Sequence, residues 1–120
     1  MTLGDSRIAG AGALLAALGI ALGAFGSHGL RAVLDVQALG WWNSAVQYQM
    51  WNAVGLVALG ALPRSLGLPA LLVGAGMLIF SGSLYIMALT GARWLGMAAP
   101  VGGLLMIAGW LTAAWRLRAQ

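Results

Sequence analysis

Eight charged residues punctuate a chain of 120, and the gaps between them decide what it can fold into. Arg7 and Arg31 enclose 23 uncharged residues (8–30), Asp35 and Arg64 enclose 28 (36–63), Arg64 and Arg93 another 28 (65–92), and Arg93 and Arg116 the last 22 (94–115). A helix rising about 1.5 Å per residue needs roughly 20 apolar residues to cross about 30 Å of hydrocarbon, so each gap is long enough for one crossing. The apolar runs are continuous rather than alternating, and a closed barrel needs at least about eight strands, so helices are the spanning element. The composition agrees: 62% of residues are hydrophobic and 7% charged, with mean hydropathy +0.94, whereas soluble chains are about a quarter charged. The sequence therefore predicts an all-α membrane protein, a four-transmembrane-helix bundle forming one integral membrane domain over 1–120. Its spans are placed at about 8–26, 42–62, 68–89 and 98–115. Arg7 before the first span and Ala24-Phe25-Gly26 after it imitate a signal peptide, but the apolar stretch exceeds the usual length of about 7–15 residues, and it reads as a span.

Several chemistries are excluded by what the chain lacks. Its net charge of +4 comes from isolated arginines rather than a basic patch, which argues against a nucleic-acid partner. Without cysteine there is no disulfide, thiolate metal site or thiol nucleophile, and one His with two Asp is too few for a metal site. No span contains Asp or Glu, the usual carriers of proton-coupled transport. Ser27, His28 and Asp35 supply the residue types of a hydrolase triad. However, adjacent Ser and His side chains diverge, and no nucleophile elbow is present. Haem ligation would need His28 from two subunits, and the six Met read as packing. The expectation is a protein that is not an enzyme and carries no cofactor or metal.

Four spans place both termini and Arg64 on one side, with Arg7, Arg116 and Arg118, against Arg31 and Arg93 on the other; this predicts cytoplasmic termini. Trp41, Trp42 and Trp94 then form an outer aromatic belt, with Trp115 beside Arg116 as the inner counterpart. Pro63 and Pro69 bound a short turn that makes the second and third spans antiparallel neighbours. Ser27 to Gly40 is read as a short interfacial helix, with Arg31 and Asp35 spaced i,i+4 as an exposed ion pair.

Two patterns suggest function. On the first span Ala9, Gly12, Ala16, Gly19, Gly23 and Gly26 recur at alternating spacings of 3 and 4, a small-residue stripe suited to close helix packing. It serves either contacts within the chain or a homo-oligomer interface. Ala98, Gly102, Gly109 and Ala113 repeat the idea on the fourth span. The second pattern is polarity gathered toward the Arg31/Arg93 end: Asn43, Ser44, Gln47, Tyr48, Gln49 and Asn52 in the first half of the second span, Ser81, Ser83, Tyr85 and Thr90 in the second half of the third. At 100° per residue, Asn43, Gln47, Ser44, Tyr48 and Asn52 share one half of the wheel and should face protein. Trp42, Val46, Met50, Ala53 and Val57 should face lipid, with Gln49 lying outside the protein-facing group. Ser81 and Tyr85 would then pair with Gln47 or Tyr48. This cluster is either interhelical glue or an outer-leaflet polar pocket for a small polar or lipid-like ligand. In the second case its candidate residues are His28, Arg31, Gln47, Tyr48, Asn52, Ser81, Ser83, Tyr85 and Arg93.

Four ordered segments carry a resemblance: Gly23 to Leu30 (GAFGSHGL), Ala45 to Met50 (AVQYQM), Phe80 to Tyr85 (FSGSLY) with Ala88 to Gly91 (ALTG), and Pro100 to Gly103 (PVGG) with Gly109-Trp110. They resemble the signature blocks of a small membrane protein family catalogued as domain of unknown function 423, similar to the eukaryotic transmembrane protein 256. The resemblance implies a four-helix protein, in bacteria of the inner membrane, with no assigned activity. Where that family often has an aromatic residue and His, this chain has Trp51-Asn52, and Ala99 stands where Thr often precedes the proline. The departures remove a second, deeply placed His. The functional expectation is a non-catalytic protein that assembles with itself or a larger membrane complex through the stripe. The alternative is a binding or passive-permeation module using the polar pocket.

Overall fold

The computed structural model describes residues 4–118. Among them four α-helices follow one another: α1 (Ser6–Phe25), α2 (Val36–Ala61), α3 (Gly67–Thr90) and α4 (Ala99–Arg118). The Asp5 carboxylate caps α1 by accepting from the Arg7 amide (3.0 Å), and Asp35 caps α2 by accepting from the Ala38 amide (2.8 Å). Gly91, at φ 75°, takes the left-handed conformation that closes α3, its amide donating to the Met87 carbonyl.

The predicted interfacial helix is not formed. Gly26–Leu30 continue α1 as a π-helical turn, and the Asp35 cap starts α2 at Val36, six residues ahead of the predicted span. Asp35 is engaged by that cap, and no Arg31–Asp35 ion pair forms. A 3-10 turn, Arg93–Met97, links α3 to α4. Three helical stretches are long and apolar enough to cross a membrane: Ser6–Leu30, Gly67–Thr90 and Arg93–Arg118. With 26 residues α2 has the length, but its polar first half keeps it outside that group.

The helices pack in series, α1 on α2, α2 on α3 and α3 on α4, in an elongated body of 52 × 26 × 17 Å. Close approach rests on glycine. A methyl built on Gly12 would lie 2.6 Å from the Ala53 carbonyl oxygen and 2.7 Å from the Val57 nitrogen; one on Gly76 would lie 2.6 Å from the Gly102 carbonyl oxygen. The stripe on α1 therefore faces α2 within the chain: Gly19 meets Met50, Gly23 meets Val46 and Gly26 meets Trp42, with Ala9 against Gly60. That face packs against α2 within the chain. Gly102, Gly109 and Ala113 do the same for α4 against α3. Gly60 and Gly76, which complete these contacts from the opposite helix, are absent from the stripes read in the sequence.

One end of the molecule collects the start of α1, the α2–α3 turn and the end of α4. There the Asp5 amide donates to the Gly60 carbonyl (2.8 Å) and the Arg116 guanidinium to the Ser65 carbonyl (3.0 Å). At the other end the Arg93 guanidinium donates to the Gln37 side-chain oxygen (2.7 Å) and lies over the Trp41 ring. Trp94 and Trp115 are exposed as a belt requires, and Arg118 stacks 4.2 Å from the Trp115 ring. Trp42 is not part of that belt: it is 2% exposed, its indole donating to the Leu22 carbonyl (2.9 Å).

Candidate functional site

The polar side chains converge on α2, though on a different face from the one the wheel selected. Trp42, Ala45, Gln49, Asn52, Ala53 and Leu56 are buried, while Asn43, Gln47 and Tyr48 are exposed. The wheel put polarity inward and apolar residues toward lipid. A helix flanked by two others, however, buries whatever fits their closest approach, here alanines against backbone and side chains long enough to reach a carbonyl.

Gln49 is the centre of this arrangement. Its side-chain nitrogen donates to the Leu15 carbonyl of α1 (2.8 Å), and its oxygen accepts from the Tyr85 hydroxyl of α3 (2.6 Å), so one side chain ties three helices. Ser81 donates to the Ala45 carbonyl (2.7 Å), joining α3 to α2. Asn52 accepts from the Trp110 indole (2.8 Å), joining α4 to α2, and donates to the Tyr48 carbonyl one turn back (2.7 Å). Ser83 donates to Ile79 within α3. Ser81 and Tyr85 thus do meet α2, but through Ala45 and Gln49 rather than Gln47 or Tyr48. Tyr48 instead packs beside Phe80 and Trp51, with centroid separations of 4.5 and 5.2 Å.

Of the nine candidate residues, Asn52, Ser81, Ser83 and half-buried Tyr85 lie in or beside this network. Tyr48 is exposed but its carbonyl accepts from Asn52, whereas His28, Arg31, Gln47 and Arg93 are exposed and make no bond to the network. A buried polar group costs several kcal/mol unless bonded, and here neighbouring carbonyls and side chains take up the cluster's groups. Among the described residues no buried side-chain nitrogen or oxygen lacks a partner.

Three cavities are lined mainly by apolar residues. α1 and α3 flank a groove floored by α2. Its section near the Arg31/Arg93 end encloses about 450 Å³ between Leu18, Leu22 and Phe25 of α1 and Met77, Leu78 and Gly82 of α3, with Gln49, Ser81 and Tyr85 at its floor. The next section, of about 460 Å³, shares Leu15 and Leu78 with the first and runs past Ala11, Leu56 and Gly74 to Arg7. A third groove, of about 480 Å³, lies between α2 and α4, beside Trp51, Phe80 and Trp110. Each volume is within the range of about 300–1,000 Å³ typical of small-molecule sites. Gln49 is the residue missed as a site candidate; its reach to both flanking helices is legible only once their positions are known.

Comparison with known proteins gives a consistent set of relatives. A family described as "Protein of unknown function (DUF423)" matches residues 22–103. The chain is 43% identical over 104 residues to a UPF0382 membrane protein of Staphylococcus haemolyticus, covering 83% of this chain and 85% of the relative. It is 40% identical over 106 residues to the UPF0382 membrane protein YwdK of Bacillus subtilis, covering 83% and 86%. It is 34% identical over 107 residues to the UPF0382 inner membrane protein YgdD of Escherichia coli, covering 82% of each. No solved structure matches the chain.

Proposed function

This chain belongs to the DUF423 family of membrane proteins of unknown function, and from that premise we propose that it is a non-catalytic protein that holds a lipid-like molecule in the groove between α1 and α3. In this reading all four helices cross the bacterial inner membrane with both termini cytoplasmic. The bonding of α2's polar side chains to α1, α3 and α4 supports its crossing, and four arginines at the terminal end against two at the other support the orientation. The sequence similarity to an inner membrane protein of Escherichia coli supports the location.

The observation that carries the reading is the groove itself, its two sections sharing Leu15 and Leu78 and reaching from Arg7 to Phe25, apolar along its walls with Gln49, Ser81 and Tyr85 at its floor and Arg7 at one end. Such a shape suits an acyl or isoprenoid chain better than a small polar solute. Assembly with itself or with a larger membrane complex is the second reading. It rests on the outer face of α1, where Leu14 and Ile20 are 63% and 65% exposed, since the glycine stripe is engaged with α2.

The groove can be filled without disturbing packing. No atom lies within 4 Å of a methyl built on Gly82, and on Gly74 the nearest is Leu56 Cδ1 at 4.0 Å. Doxyl-labelled phosphatidylglycerol in vesicles should show a motionally restricted spectral component with the native protein. Gly74→Phe with Gly82→Phe should remove it, while Ala108→Phe on the exposed face of α4 should leave it unchanged. A restricted component that survives the double substitution rules the groove out as the lipid site.

A further inference from the structure

We propose that the groove's occupant is an anionic phospholipid, seated with its phosphate between Arg7 and Arg64 and an acyl chain running between α1 and α3. This rests on the lipid-holding reading above and names the headgroup. The argument is one of continuity and charge. Arg7 lines both the apolar groove section beside Ala11 and Gly74 and a polar cavity of about 500 Å³ at the membrane edge. That cavity is bounded by Asp5, Ser6, Arg7, Pro63, Arg64 and Ser65. A molecule whose apolar tail fills the groove therefore brings its polar end beside two guanidinium groups.

The electrostatics of this end favour an anion. Among the described residues it gathers Arg7, Arg64, Arg116 and Arg118 against one acidic side chain, Asp5, which is engaged by the α1 amide. Arg116 is bound to the Ser65 carbonyl, and Arg64 reaches the Arg116 carbonyl only at 3.5 Å. Among the described residues the Arg7 guanidinium has no hydrogen-bond partner, and its side chain is exposed. Guanidinium recognises phosphate oxygens through paired donors, so two arginines flanking one cavity fit a phosphodiester. The geometry of the groove excludes a free phosphate as the whole ligand, since an ion alone leaves the apolar walls unmatched.

Native mass spectrometry of protein released from mixed vesicles tests this, using phosphatidylglycerol and phosphatidylcholine with identical acyl chains. The native protein should retain phosphatidylglycerol over phosphatidylcholine by about tenfold, as expected for two arginines near an anionic headgroup. Arg7→Gln with Arg64→Gln should bring that ratio to near unity while retaining lipid. Arg31→Gln with Arg93→Gln, at the opposite end, should keep the preference. Equal retention of both lipids by the native protein, or a preference that survives loss of Arg7 and Arg64, overturns the headgroup assignment and leaves the groove reading intact. Retention of neither lipid overturns both.

Discussion

Gly12→Ala is expected to lower the unfolding free energy by about 2–3 kcal/mol, because the added methyl meets backbone that cannot move without parting two helices. It would lie 2.6 Å from the Ala53 carbonyl oxygen, 2.7 Å from the Val57 nitrogen and 2.9 Å from the Leu56 Cβ. Gly23→Ala, on the same stripe, meets only Val46 Cγ1 at 3.3 Å. Its effect should stay within about 1 kcal/mol, since alanine's better helix propensity offsets the small crowding. Gly19→Ala falls between, because the atom it meets at 2.5 Å is Met50 Sδ, near the end of a flexible side chain. Denaturant titration in mixed micelles reads the gradient, and subunit number measured on the same variants should not change. Equal destabilisation at all three positions, or a change in subunit number with stability intact, would mean that the stripe serves a contact between copies.

Gln49→Leu should cost about 2 kcal/mol, the second large effect. The substitution removes the donor to the Leu15 carbonyl and leaves the Tyr85 hydroxyl without its acceptor in a low-dielectric setting. Tyr85→Phe alone should cost less, because Gln49 keeps its bond to α1. The double variant should cost less than the two single changes together, with a coupling of about 1 kcal/mol between the pair. Strict additivity would show that the Tyr85–Gln49 bond contributes nothing to holding α2 and α3 together.

The difference between these two residues explains what the sequence made legible. Helix positions were readable because an apolar environment excludes charge: the gaps between charged residues correspond to α1, α2, α3 and α4 within a few residues, although the second span, placed at 42–62, misses the first turns of α2. The stripe on α1 was readable because small residues at that period have few uses other than close packing, though its partner was not. Only the three-dimensional arrangement shows Gly60 against Ala9 and Gly76 against Gly102. The inward face of α2 was misjudged because polarity is a poor guide there. Gln47 and Tyr48 are exposed while Trp42 and Gln49 are buried, since a polar side chain goes inward when it can reach a partner there. The groove had no sequence signal at all, because its walls are the ordinary apolar residues of two spans and its existence depends on α1 and α3 standing apart across α2.

That separation is what makes lipid retention the decisive observable. Native mass spectrometry of the unmodified protein, ejected directly from its source membrane rather than from defined vesicles, reads subunit number and bound mass together. Each chain should carry one phospholipid that persists when bulk lipid is stripped, whatever the number of subunits. A stable oligomer stripped of all lipid, with its chains held together, would contradict the groove as the working part of the molecule and return function to protein–protein assembly.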